Sequence, residues 1–187
     1  MEAPLVLDAS KLRTSFQQKP PRLVRWGFHP SPAQNLMIGL TPEGAICRIS
    51  FANPQSLTGR TAKATLAAWK KQWPQTEFVE DQLATAKVAK KIFGKEMLDI
   101  VMIGTKFQQD VWKQLLKIPA GKTLSYREVA AKIKNPKAVR AVGTACGANP
   151  VALLVPCHRV IASNGGMGGF GGGLPLKVKL LATEKAA

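Results

Sequence analysis

The chain has 187 residues, 45% hydrophobic and only 20% charged, a balance that excludes intrinsic disorder and leaves room for one sizeable domain or two small ones. Its 27 Lys and Arg face 11 Asp and Glu, a net +16, which draws the protein to polyanions, nucleic acid above all, or else solubilises it with a cationic surface. Three cysteines without C-x-x-C spacing exclude a disulfide framework or zinc ribbon and fit a reducing compartment, and no apolar run is long enough to span a bilayer.

The opening MEAPLVLDASKLR is acidic early and lacks a basic start before an apolar stretch, so no secretory signal is expected. Residues up to QQKPPR read as extended or loosely ordered, and His29, beside Pro30, as a surface or turn residue. NLMIGLTPEGAICRISFA (35–52) alternates about TPEG, which predicts two strands joined by a turn, with Cys47 a small core hydrophobe on the second. Helices follow at 61–73, before Pro74, and at 80–94, ended by Gly94; 97–104 reads as a strand. Nothing in residues 1–102 forms a catalytic cluster. Basic residues outnumber acidic ones by 14 to 8 there and by 13 to 3 in residues 103–187, so the positive charge is concentrated in the second part.

From GTKFQQDVWKQLLKIPAGKT onward the pattern becomes helical. Phe107, Val111, Leu115 and Leu116 share a face, which predicts a helix over 107–118 closed by PAGKT. SYREVAAKI follows as a short helix with Ser125 as cap and Glu128 at the capping-box position. KNP is a turn, and Pro136 is expected to open a third helix that ends at Gly147; short helix, turn and helix make a helix-turn-helix pattern. This last helix offers Ala138, Val139, Ala141, Val142, Gly143 and Thr144 around a single Arg140. Small side chains allow close approach to a narrow groove but read few base edges, and a lone arginine suits the minor groove or the base stack. The same helix could equally be a core helix with Arg140 solvated at its edge.

Cys157 follows VALLV and Pro156 and precedes His158, one of two histidines in the chain. Core thiol, metal ligand and nucleophile are all open readings of it. VALLV reads as a buried strand that Pro156 interrupts. In a regular strand Cys157 and His158 would face opposite ways, so a working pair requires irregular backbone or a bridging water. GGMGGFGGGLPLK (165–177) lacks the G-K-[ST] ending of a phosphate loop; glycine backbone walling a flat aromatic ligand fits it better.

PCHRV, preceded by NPKAVRAVGTACGANP and followed by GGFGGGLPLKVKLL, resembles the O6-alkylguanine-DNA alkyltransferases (methylated-DNA–protein-cysteine methyltransferases) from about Gly104 to Glu184. The resemblance implies an α/β (α+β) protein: a small N-terminal α/β domain of ribonuclease H-like layout with an antiparallel sheet, residues 1–102. A mainly helical, winged-helix-like domain that binds DNA and accepts the alkyl group, residues 103–187, would follow. The implied activity is DNA repair by direct, irreversible, single-turnover transfer of an alkyl group from O6 of a flipped-out guanine to Cys157, with O4 of thymine a second candidate position. By the same resemblance His158 is the base, acting through a water and held by Glu184, and Asn149 organises the active-site turn. Tyr126 donates to guanine N3 and crowds the phosphate, Arg140 fills the gap left by the base, and Lys177 supports the reaction electrostatically. The carbonyls of Cys157 and Val160 accept from the guanine amino group, Phe170 and Gly171 line the pocket, and Ala138, Ala141 and Gly143 lie on the DNA-facing helix.

Two departures stand out. Some relatives hold a structural zinc in the N-terminal domain, whereas this half offers only Cys47 and His29, so neither metal nor other cofactor is expected. Phe170 and Gly171 replace a tyrosine and a serine of some relatives, which implies backbone N–H contact to O6 and room for larger alkyl groups; Cys146 reads as a packing residue. The expected partner is double-stranded DNA bearing O6-alkylguanine, bound by a monomer through the minor groove without sequence specificity and away from membranes. The expected compartment is the cytoplasm (nucleoid-associated) in a prokaryote or the nucleus in a eukaryote. A damage sensor on the same scaffold would need no cysteine here, and a Cys–His hydrolase would need separated triad partners.

Overall fold

The computed structural model describes residues 9–32, 34–52, 61–94 and 96–186. A short 3-10 turn, Ala9–Lys11, leads into β1 (Leu12–Gln17), followed by β2 (Leu23–His29), β3 (Leu36–Leu40) and β4 (Ile46–Phe51). Helix α1 (Ala62–Gln72), β5 (Glu77–Glu80), α2 (Gln82–Ile92) and β6 (Leu98–Ile103) complete a six-stranded sheet in the order β1-β6-β4-β3-β2-β5. The expected antiparallel pairing is present in β2-β3-β4. The sheet as a whole is mixed, because β1 and β4 run parallel to β6 and β5 runs parallel to β2. The helical crossovers that precede β5 and β6 return each strand in the same direction as its neighbour. His29 ends β2, where its Nε2 lies 2.8 Å from Thr85 Oγ1 of α2, so it is a half-buried strand residue and not a turn residue.

The second part carries α3 (Lys106–Leu115), β7 (Leu124–Ser125), α4 (Tyr126–Lys132), α5 (Val139–Gly147), β8 (Val160–Ile161) and α6 (Leu174–Ala186). Both expected partners of the α4 capping box are in place: Ser125 Oγ accepts from Glu128 N at 3.2 Å and Glu128 Oε2 accepts from Ser125 N at 2.7 Å. Such a cap contributes about 1 kcal/mol and fixes where the helix starts, directly at Tyr126. Helix α5 starts three residues later than Pro136. Ala138 N donates to Asn135 O at 3.0 Å, so Pro136 occupies the second position of a tight turn, where its fixed φ is equally at home.

One core joins the two parts: Ile38, Ile49 and Met102 of the sheet pack with Trp112, Val142, Val155 and Leu180. Trp112 Nε1 donates to Ala145 O at 2.9 Å and ties α3 to α5. Strand β4 pairs with β6 only at Ile46–Ile100; beyond that point its edge is taken by Val151, through Ile49 N to Pro150 O at 2.8 Å and Ala152 N to Ile49 O at 3.2 Å. The sheet thereby holds the segment that leads to Cys157. Among the described residues no helix is long and apolar enough to cross a membrane.

Candidate active site

VALLV is buried as expected but is not a strand. Only Val151 makes a bridge; Leu153 has φ 76°, and Val155 N returns to Val151 O at 3.1 Å, closing a turn. Asn149 builds that turn from both ends, its Oδ1 accepting from Val151 N at 3.1 Å and its Nδ2 donating to Val155 O at 2.8 Å. The side-chain amide supplies the pairing that a neighbouring strand would otherwise give, so apolar composition is compatible with a tight fold here.

Cys157–Arg159 then form a 3-10 turn after Pro156, and β8 begins at Val160. Successive side chains on such a turn diverge by about 120° and do not oppose one another as in a strand. The irregular backbone that a Cys157–His158 pair requires is therefore present. Cys157 is 9% exposed and forms part of the wall of a cavity of about 440 Å³, with Tyr126, Gly143, Cys146 and Phe170 around it and Gly168, Gly169 and Gly171 on one side.

The pairing of β7 with β8, Leu124 to Val160 and Ser125 to Ile161, brings the start of α4 beside the 3-10 turn and puts Tyr126 in the cavity wall. A Cβ at Gly168 would lie 2.6 Å from Tyr126 Oη, and φ there is +65°, so only glycine fits. Burial raises the Tyr126 hydroxyl above its ordinary range, and the nearby thiols of Cys146 and Cys157 push the same way, so it remains a proton donor at neutral pH. Phe170 packs on Phe51 of β4, ring centroids 5.6 Å apart, and meets His158 edge-on at 6.2 Å.

Behind the thiol lies a buried charge network. His158 Nε2 donates to Glu184 Oε1 at 2.7 Å; Arg159 Nε donates to both carboxylate oxygens at 3.1 Å, and its Nη2 donates to Oε1 at 2.8 Å. Arg159 Nη1 also reaches Ile118 O at 2.6 Å. Burial alone would raise the Glu184 carboxyl, but the hydrogen bonds and charges of His158 and Arg159 outweigh it and hold the pKa down at about 2. An ionised carboxylate only accepts, so Nε2 is the ring nitrogen that carries a proton towards Glu184. Nδ1 is buried and makes no hydrogen bond to any of the described residues.

Lys177 is completely buried; its Nζ donates to Val160 O at 2.7 Å and to Met167 O, stitching the glycine-rich segment to β8. The Val160 carbonyl expected to face a guanine amino group thus already accepts from Lys177. Burial raises the Cys157 thiol, while the Asn149 hydrogen bond and the Lys177 charge oppose that rise. Cys146 lines the same cavity and is pushed up to about 12, chiefly by burial.

On α5, Val142, Ala145 and Cys146 face the core, whereas Arg140, Ala141 and Thr144 are exposed and Ala138 and Gly143 are half-buried. An exposed ridge of small side chains with one arginine therefore lies next to the cavity mouth at Gly143. Arg159 is the site residue that sequence reasoning passed over; it lies within PCHRV, but its partner becomes visible only once α6 folds back. Among the described residues no group of three or more His, Cys, Asp or Glu side chains could hold a metal.

A helix-turn-helix packed beside a thiol-floored cavity defines a protein that brings cysteine chemistry to nucleic acid. Residues 106–186 match the family model for the 6-O-methylguanine DNA methyltransferase DNA-binding domain. The chain is 37% identical over 163 residues to the methylated-DNA–protein-cysteine methyltransferase of Haemophilus influenzae, covering 84% of each. It is 56% identical over 88 residues to a probable methyltransferase of the same name from Acanthamoeba polyphaga mimivirus, a match spanning 47% of this chain and just over half, 58%, of that protein. The crystal structure of Mycobacterium tuberculosis O6-methylguanine methyltransferase superposes with TM-score 0.68 at 34% identity, covering 87% of this chain and 93% of that one; a structure of Mycobacterium tuberculosis OGT in complex with DNA gives 0.64 at 33%, covering 88% and 93%. The chain belongs to the methylated-DNA–protein-cysteine methyltransferase family.

Proposed function

We propose that the protein repairs duplex DNA by moving the alkyl group from O6 of guanine to Cys157 Sγ, once per molecule. The observation that carries this reading is the position of Cys157 in the wall of a glycine-lined cavity beside the exposed small-residue face of α5, with the His158–Glu184–Arg159 network behind it. His158 Nδ1 takes the thiol proton through a bridging water, and ionised Glu184 stabilises the imidazolium that forms. As the Sγ–carbon bond forms, the carbon–O6 bond breaks and its electron pair passes to the guanine ring. Tyr126 Oη donates a proton towards N3 as that charge develops. The thioether product has no leaving group that water could displace under these conditions, so the protein is consumed.

The target base must leave the stack to reach the cavity, and Arg140 fills the space it vacates. The small-residue face of Ala138, Ala141 and Gly143 reads the minor groove by shape and carries no base-edge code, so binding is independent of sequence and supported by the net charge of +16. Phe170 and the side-chain-free Gly171 leave room beyond a methyl group. The protein acts as a monomer of two units, residues 1–102 and 103–187, without metal or cofactor, wherever DNA meets a reducing environment. A titration of limiting protein with an O6-methylguanine duplex tests this: lesion loss is expected to stop at one equivalent per protein. Continued turnover, or tight binding with no lesion lost, would contradict it.

A further inference from the structure

A second cavity, of about 420 Å³, lies on the sheet side of the molecule, away from Cys157, and a buried arginine lines it. Arg48, on β4, is 5% exposed, with its guanidinium carbon 3.8 Å over the ring of Trp73 and 5.4 Å from that of Trp69. Its Nη2 donates to Gln72 Oε1 at 2.7 Å, but among the described residues its buried Nε finds no hydrogen-bond acceptor. Among the described residues no carboxylate pairs with it. The other buried arginine, Arg159, makes three hydrogen bonds to Glu184. Burying a guanidinium without a counter-ion carries a desolvation cost that ring contacts offset only in part and a resident anion lowers further. Although burial lowers the Arg48 pKa to about 10, the group is still charged at neutral pH.

The rest of the wall suits an anion. Among the described residues no acidic side chain lines it; four glutamines do, Gln18, Gln72, Gln75 and Gln108, and their amide N–H groups can turn towards an oxyanion. Thr105 and Gln108 form the capped start of α3, so the positive end of a ten-residue helix reaches the same wall. We propose that this cavity is a binding site for a phosphate-type oxyanion, held by the Arg48 guanidinium and the glutamine amides. Ala148 and Pro150 close one side, and Pro150 O accepts from Ile49 N, next to Arg48. The anion therefore sits one residue from the turn that Asn149 shapes. A chain of this charge meets such an oxyanion either on a DNA backbone or as a free phosphate; the chemistry of the site is the same for both.

Tryptophan fluorescence reads the site directly, because Trp73 stacks on Arg48. Titration of the full chain with inorganic phosphate, at ionic strength held constant with chloride, is expected to give a saturable change. Arg48→Gln and Gln72→Glu should each weaken it about tenfold or more. Gln72→Glu places a carboxylate where Gln72 Oε1 already meets Arg48, so it fills the charge requirement internally without emptying the wall. An unsaturable response, or the same response in wild type and Gln72→Glu, would overturn the proposal and leave only general ionic screening. If saturating phosphate then competes with a duplex for the wild type and not for Gln72→Glu, the occupant is a DNA phosphate; if duplex affinity is unchanged, it is a free phosphate.

Discussion

Cys47 and Cys157 mark two regions that treat a buried thiol differently. Cys47 lies within β4, fully buried, its Sγ directed at Gly39 O at 3.5 Å, and burial pushes its pKa up to about 12. Cys157 is nearly as buried and its thiol is also raised, yet it starts a 3-10 turn in a cavity wall, with the Asn149 hydrogen bond and the Lys177 charge opposing the rise. Burial therefore does not separate an inert thiol from a reactive one. Backbone irregularity separates their settings, because it puts Cys157 in a cavity wall where the Asn149 side chain and the Lys177 charge act on the thiol.

The largest expected effect breaks the comparison outright: Cys157→Ala removes all alkyl transfer while salt-sensitive duplex binding persists in a filter or anisotropy assay. Glu184→Gln comes next. It leaves Arg159 buried without its counter-ion and loosens the His158 ring, so denaturant unfolding should show a loss of about 3–5 kcal/mol, with slower transfer at temperatures where the variant is folded. The pH dependence has a definite sign. The folded carboxyl sits at about 2, below its ordinary 4.5, so its stabilisation is complete above pH 4.5 and is lost as pH falls towards 2. Midpoints from denaturation at stepped pH should follow that window in the wild type and flatten in Glu184→Gln.

Tyr126→Phe removes the proton donor but keeps the ring against Gly168; single-turnover rates should fall by about 100-fold with little change in stability. The smallest effect sharpens the other side of the comparison. Cys47→Ala should lower stability by about 1–2 kcal/mol in denaturant melts and leave the transfer rate unchanged.

The helix-turn-helix was legible because its signals are local: the Ser125–Glu128 capping box, the KNP turn and the alternation of small exposed and apolar buried positions along α5. The site was legible through the PCHRV pattern and its resemblance, not through periodicity. Strands β1, β2 and β5 were missed, because LVRWGFH carries Arg25 and His29 and buries fully only Val24 and Gly27, and EFVE is a short edge. VALLV was misread for the opposite reason. Five apolar residues look like a core strand, and only Asn149, two residues upstream, decides that they fold into a turn. Arg48 and Arg159 could not be placed at all from sequence, since their burial depends on α1 and α6 closing over them.

The most direct test of the central claim is peptide mass spectrometry after incubation with a duplex bearing one O6-methylguanine. The account requires a single added methyl group on the peptide containing Cys157, and none on those containing Cys47 or Cys146. Methyl on either of those two, or an unmodified Cys157 peptide alongside repaired DNA, would contradict it.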